Sequence, residues 1–237
     1  MAKIKAITFD LDGTLAQGAL DNENYEKALL NYLHKIGYSG GNATLNKARQ
    51  AMLERQKKSQ ARNIELRFDL LYSNLLFDLG LDITQERLEY IENLYNRFFK
   101  IDILPGVKEM LENLSKKCKL AIVANAITNV SRFAMQKLDL AKHFDCIVLS
   151  RDLGVRTPDP EIFIYALRSM WIKASEAVHV GDSLETDVQG GKNAGMKTVW
   201  INGNEKVMKI HPDFIEEVMK IHPDFVISKV VELPNLF

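Results

Sequence analysis

The sequence predicts an α/β fold in which a mainly parallel sheet is interrupted, soon after its first strand, by an all-helical insert. Three observations carry this expectation: a strand-like run opens the chain, helical periodicity fills the stretch after it, and short apolar runs then alternate with amphipathic segments. Strands separated by helices need crossover connections, which lay helices on both faces of a parallel sheet.

Taken in order, KIKAITF at 3–9 is an apolar, partly β-branched run that reads as a strand. From Asn22 to about Lys100 the texture changes. Leu29, Leu30 and Leu33 recur at helical spacing, as do Leu66, Leu70, Leu71, Leu75 and Leu76, and then Leu88, Ile91, Leu94, Tyr95 and Phe98. Pro105 is suited to open a helix over 107–117, where an early N–H would lack a partner anyway. LAIVAN, FDCIVLS, AVHVGD and KTVWIN then read as strands, with helices at Val130–Lys137, after Pro160, and near Glu185–Ala194. The string VMKIHPDF stands at 207–214 and again at 218–225, a tandem duplication too short to make a repeat fold. Its second copy runs into VISK and reads as a final short strand; the first reads as an expanded surface connection.

A chain of 237 residues holds one large domain or a core with a modest insert. The 31 basic residues balance 31 acidic ones, and Lys57, Lys58, Lys116 and Lys117 sit among carboxylates, so no nucleic-acid surface is expected. The opening apolar stretch is broken by Asp10 and Asp12 and falls far short of the roughly 20 residues of a membrane span. No signal peptide or membrane segment is expected, and the cytoplasm is the expected compartment. Cys118 and Cys146 stand apart without companions, which suits reduced thiols near the core better than a zinc or iron–sulfur site.

Parallel sheets gather ligands outside the C-terminal ends of their strands. That rule singles out Asp10 and Asp12, Asn125, the segment Arg156 to Asp159, and Asp182. FDLDGTL at 9–15 puts two carboxylates one residue apart at a strand end, where Gly13 permits a turn; one suits a nucleophile and the other a proton donor. GDSLETD at 181–187 begins at a second strand end. Several carboxylate oxygens at one crevice suit a hard divalent ion such as magnesium, which also screens their repulsion toward a phosphoryl group. His211 and His222 read as surface or packing residues, and His179 as shielded by the sheet. Trp171 and Trp200 read as packing anchors, and Phe68, Tyr72, Phe77, Tyr95, Phe98 and Phe99 as packing residues of the insert. There is no glycine-rich dinucleotide fingerprint and no GKS or GKT phosphate loop.

FDLDGTL, PDPEIF at 158–163 and GDSLETDVQGGKNAGM at 181–196 form an ordered set. Together they resemble the haloacid dehalogenase superfamily, specifically its phosphatase-like members with a helical cap inserted just after the first strand. The resemblance covers nearly the whole chain. It implies a Rossmann-like core at 1–15 and 101–237 and a cap at 16–100. It also implies a magnesium-dependent phosphatase that hydrolyses a small phosphorylated metabolite through an aspartyl-phosphate, as a monomer or homodimer without nucleic-acid or membrane partners. Asp10 would be the nucleophile, and Asp12 the acid and then the base. Asp10, the backbone carbonyl of Asp12, and Asp182 would hold magnesium, with Asp187 as a further ligand or support. Leu11 and Gly13 would offer backbone N–H groups to phosphate, Thr14 would tie down the turn, and Asn125 would meet the phosphate or the cap-side substrate.

Two positions depart from the family pattern. Ala124 stands where the second motif carries serine or threonine, and Thr157 where the third carries lysine. Arg156 is the neighbouring candidate for the missing charge; Thr157 keeps a hydroxyl, and Thr128 would reach the site only if its loop folds back. A catalytically weakened binding or regulatory protein is therefore the alternative to a phosphatase. A phosphomutase and a 2-haloacid dehalogenase are further alternatives, the last disfavoured by Asp12, which halide displacement does not require.

Overall fold

The computed structural model describes residues 3–202 and 221–237. Strand β1 (Ala6–Phe9) is buried along its whole length, as a strand covered on both faces must be. The chain then makes β2 (Ala16–Leu20), four helices, α1 (Asn22–Lys35), α2 (Asn42–Gln60), α3 (Phe68–Asp78) and α4 (Gln85–Phe98), and returns through β3 (Phe99–Ile103). Next come α5 (Val107–Leu114), β4 (Lys119–Ala124), α6 (Val130–Lys137), β5 (Cys146–Leu149), a single-turn α7 (Ser150–Leu153) and α8 (Pro160–Ser169). The chain ends with β6 (Ala177–Gly181), a wide turn at Leu184–Val188, α9 (Gln189–Asn193), β7 (Lys197–Ile201) and β8 (Phe225–Ile227).

Six strands form one sheet in the order β5-β4-β1-β6-β7-β8, all parallel. Alternation along β1 assigns its side chains to two cores. Ile7 and Phe9 pack with Leu111, Val178 and Val180 on one face, while Ala6 packs with Ala121, Val123, Ile162 and Phe163 on the other. With β4 and β6 hydrogen-bonded to either side of β1, the loops after all three strands open on the same edge of the sheet. The expected α/β architecture is present.

Helices α1 to α4 bury a separate apolar cluster around Tyr25, Leu29, Leu33, Leu75 and Ile91. Four details differ from expectation. The insert is entered and left through an antiparallel ribbon of β2 and β3, which leucine periodicity does not announce. Helix α2 buries only Leu45, Ala48 and Met52, so its mostly polar sequence hides it. Leu70 and Phe77 face solvent rather than packing, and Trp171, read as an anchor, is 92% exposed. Helix α5 begins at Val107 as expected but stops at Leu114, short of Lys117. Cys118 and Cys146 are free and half-buried. The second VMKIHPDF copy does lead into β8, whereas the first copy, with His211, lies outside the described residues.

The insert is also fastened to the core at a distance from the ribbon. Ile64 bridges Val155 in antiparallel fashion, Glu65 N–H donates to Gly154 O at 2.9 Å, and Arg156 N–H donates to Asn63 O at 3.0 Å. Thus the connection between α2 and α3 runs as a short strand against the segment before Thr157. No helix among the described residues is long and apolar enough to cross a membrane.

Candidate active site

The loops after β1, β4 and β6 enclose a cleft of about 300 Å³ lined by Asp10, Asp12, Ser131, Arg156, Asp182 and Asp187, among others. Carboxylate oxygens of Asp10, Asp182 and Asp187 all lie within 4.8 Å of one another. Residues far apart in sequence meet here because β1 and β6 are direct neighbours in the sheet.

Asp10 sits at the foot of the cleft. Burial, and after it the charges of Asp187, Asp182 and Asp12, push its carboxyl well above the ordinary range, against a hydrogen bond from the Leu11 N–H. Asp182 is raised to about 6 by desolvation and by the Asp187 and Asp12 charges. Asp187 is 3% exposed and held in place: Oδ2 accepts from Ser183 N–H at 3.0 Å and Oδ1 from the Thr186 hydroxyl at 3.2 Å. Three converging carboxylates that repel one another are a donor set matched to a small, hard divalent cation.

Two glycines make the convergence possible. Gly13 has φ +83°, and a Cβ there would run into the Asp182 carboxylate; a Cβ on Gly181 would run into Asp187. Trp200 supports the same loop, its indole N–H donating to Asp182 O at 2.9 Å. Trp200→Phe is expected to lower unfolding free energy by about 1–2 kcal/mol, through the lost hydrogen bond and a smaller ring, as read by urea denaturation. Behind Asp187 lies buried His179, whose Nδ1 pairs with the Thr8 hydroxyl at 2.8 Å and whose Nε2 is 3.8 Å from Asp187 Oδ1.

Asp12 stands apart from the trio. Its Oδ1 accepts from Gly18 N–H in β2 at 2.7 Å, which aims the carboxyl toward the insert. The turn itself closes through backbone groups, with Gly13 N–H donating to Ala16 O at 2.8 Å and Thr14 N–H to Leu11 O at 3.3 Å. One expectation is corrected: the Gly13 N–H is committed to the turn rather than offered to a ligand. Thr14 does tie down the turn, through its backbone N–H, while its hydroxyl is buried without a hydrogen-bond partner.

Asn125 lines both the cleft and the cavity beside it, where it was expected. Both ends of its amide are also engaged by Thr157: Nδ2 donates to the Thr157 hydroxyl at 2.7 Å, and Oδ1 accepts from Thr157 N–H at 3.1 Å. It therefore joins two loops at the edge of the site. Thr157 is 3% exposed and absent from the cleft lining, whereas Arg156 lines it. Thr128 is buried and accepts from Val130 N–H at 3.2 Å, on the insert side of the site.

Two lining residues escaped the sequence reading. Ser131, in the first turn of α6, brings a hydroxyl to the cleft where Ala124 brings none. Glu65 comes from the insert. Its hydroxyl donor, Ser150, could have been suspected only from the strand end at which it lies, and nothing in NIELRF marks the glutamate.

An acidic centre at the C-terminal edge of a parallel sheet, roofed by a helical insert, defines a hydrolase-type α/β architecture with a cap. A family model described as haloacid dehalogenase-like hydrolase matches residues 4–195, and the chain belongs to that family. Among curated relatives, it is 30% identical over 201 residues to glyceraldehyde 3-phosphate phosphatase of Pyrococcus furiosus, covering 84% of this chain and 81% of that one. It is 36% identical over 142 residues to human N-acylneuraminate-9-phosphatase, covering 59% of this chain but only 54% of the human protein, about half its length. Among solved structures, a 2-haloacid dehalogenase from Pseudomonas syringae pv. Tomato DC3000 superposes with TM-score 0.73 at 29% identity, covering 98% of this chain and 97% of that one.

Proposed function

We propose that the protein is a magnesium-dependent phosphatase that hydrolyses a small phosphorylated metabolite through an aspartyl-phosphate on Asp10. The observation that carries this reading is the convergence of Asp10, Asp182 and Asp187 within 4.8 Å beside Asp12. Phosphatase relatives of the same family support it.

Asp10, Asp182 and Asp187, with the Asp12 backbone carbonyl, would hold a magnesium ion, whose positive charge would let a phosphoryl group approach several carboxylates. Asp10 attacks phosphorus through a carboxylate oxygen, and the bond from phosphorus to the leaving oxygen breaks. Asp12 gives its proton to that leaving oxygen. It then takes a proton from the water that attacks the aspartyl-phosphate, which frees phosphate and regenerates both carboxyl groups. Arg156 supplies charge to the phosphoryl oxygens in place of a lysine at Thr157, with the Asn125–Thr157 clasp fixing its loop. The catalytic core is the unit 1–15 and 101–237, and the cap is 16–100.

The test is phosphate release from a panel of phosphorylated metabolites with magnesium and with chelator. Release that requires magnesium is expected, and equal release in chelator would sink the reading. Gly181→Ala, which pushes Asp187 out of line, is expected to reduce kcat/KM by about 100-fold. A second reading, displacement of halide from a 2-haloacid by Asp10, is favoured by the 2-haloacid dehalogenase likeness. It predicts chloride release that Asp10→Asn abolishes and Asp12→Asn does not.

A further inference from the structure

Next to the carboxylate cleft, and sharing Asp12, Ser131 and Arg156 with it, lies a cavity of about 240 Å³ between insert and core. A leaving group whose oxygen takes the Asp12 proton would extend into it. A space of about 240 Å³ beside the phosphoryl site admits a leaving group of polyol or sugar size. Tyr95 and Phe99, with rings stacked at 5.7 Å, wall one part, and the amides of Gln56 and Gln60 line another.

Packing leaves two polar groups of this cavity unexplained, Arg156 Nη1 and a carboxylate oxygen of Glu65, both buried without a hydrogen-bond partner. Glu65 is 4% exposed, and its Oε2 accepts from the Ser150 hydroxyl at 2.8 Å and lies 3.8 Å from Arg156 Nη1. Its Oε1 is buried without any hydrogen-bond partner. A buried carboxylate oxygen left in that state costs stability, and the cost is recovered when a ligand brings a donor. Burial pushes the Glu65 carboxyl up, while Ser150 and Arg156 counter the rise.

We propose, on the phosphatase reading of the site, that Glu65 selects the substrate: it accepts a hydrogen bond from a hydroxyl of the leaving group, so the substrate is a monophosphate of a short neutral polyol or sugar. Arg156 is the one cation among the described residues lining the cavity, and the transferred phosphoryl group occupies it. A leaving group with a second anionic group would meet Asp12 and Glu65 without a countercharge. An alkyl leaving group would leave Oε1 unpaired. Glu65 therefore rejects both by the same oxygen.

Three matched esters test this with magnesium present. Glycerol 3-phosphate carries hydroxyls, 3-phosphoglycerate carries a carboxylate in place of one of them, and n-propyl phosphate carries neither. Wild-type kcat/KM is expected to favour glycerol 3-phosphate by about tenfold or more over each of the others, the worth of one hydrogen bond to a charged group. Glu65→Gln is expected to bring glycerol 3-phosphate and 3-phosphoglycerate within about threefold of each other, chiefly because the acid is turned over faster. Glu65→Asp retains the charge and is expected to go on rejecting the acid. Near-equal wild-type rates on the three esters, or an unchanged ratio in Glu65→Gln, would overturn the assignment, as would an Asp variant that accepts the acid freely. Magnesium-dependent phosphate release from any of the three esters monitors the phosphatase reading separately. No release from any of them overturns that reading and the selectivity with it, whereas release without a glycerol 3-phosphate preference overturns the selectivity alone.

Discussion

Asp10→Asn is expected to lower phosphate release by about 10⁴-fold or more while leaving the protein folded. An amide cannot form the aspartyl-phosphate, and loss of a covalent nucleophile removes nearly all of what the remaining groups do together. The variant should also be more stable than the parent in chelator, because burial and three neighbouring carboxylates disfavour a charge at position 10. Substrate mixed with the variant should remain bound and unhydrolysed. A variant that retains a tenth of wild-type turnover with magnesium would remove Asp10 from the chemistry.

Asp182→Asn is expected to act in opposite directions on stability and on turnover. The Asp182 carboxyl titrates at about 6 in the folded protein against an ordinary value of 3.8. The folded state therefore binds more protons than the unfolded one between those values, and the contribution of this group to stability is lost as pH rises through that window. Removing the charge should raise Tm in chelator at pH 7 by about 2–4 °C, a figure discounted for the open position of the side chain. The same change should reduce kcat/KM by about 100-fold or more, and magnesium, expected to raise the Tm of the parent, should no longer raise it. Calorimetric melts at pH 5 and pH 7, with and without magnesium, measure both effects. An Asp182→Asn protein that magnesium still stabilises to the parental extent would place the ion elsewhere.

The acidic residues were legible because strand ends are legible. An apolar run that stops at FDLD or at HVGD marks the point where a parallel sheet releases its chain, and β1 and β6 are neighbours, so both releases meet. Gly13 was legible for a related reason, although what it makes room for is Asp182, a residue from another loop. Hydrogen-bond partners were not legible. Asn125 lines the cleft as its strand end implies, but nothing local announces its clasp with Thr157, 32 positions away. The Gly13 N–H, expected at a phosphate, goes to Ala16 O, a partner that only the closed turn reveals. In the insert, leucine spacing revealed helices that bury much and concealed α2, which buries little. Glu65 looked like any polar residue in a connection, since its burial arises from what the core places against it.

The short pairing of residues 63–65 with 154–156 has a consequence for engineering. A chimera that transplanted the helical unit of another member of the family onto this base would bring foreign residues to the seam, and the arginine there would lose the carboxylate it now leans on, which only a glutamate at that position supplies. The two halves are thus not interchangeable parts: a successful transplant has to carry its own seam residues and a matching loop from the donor's base.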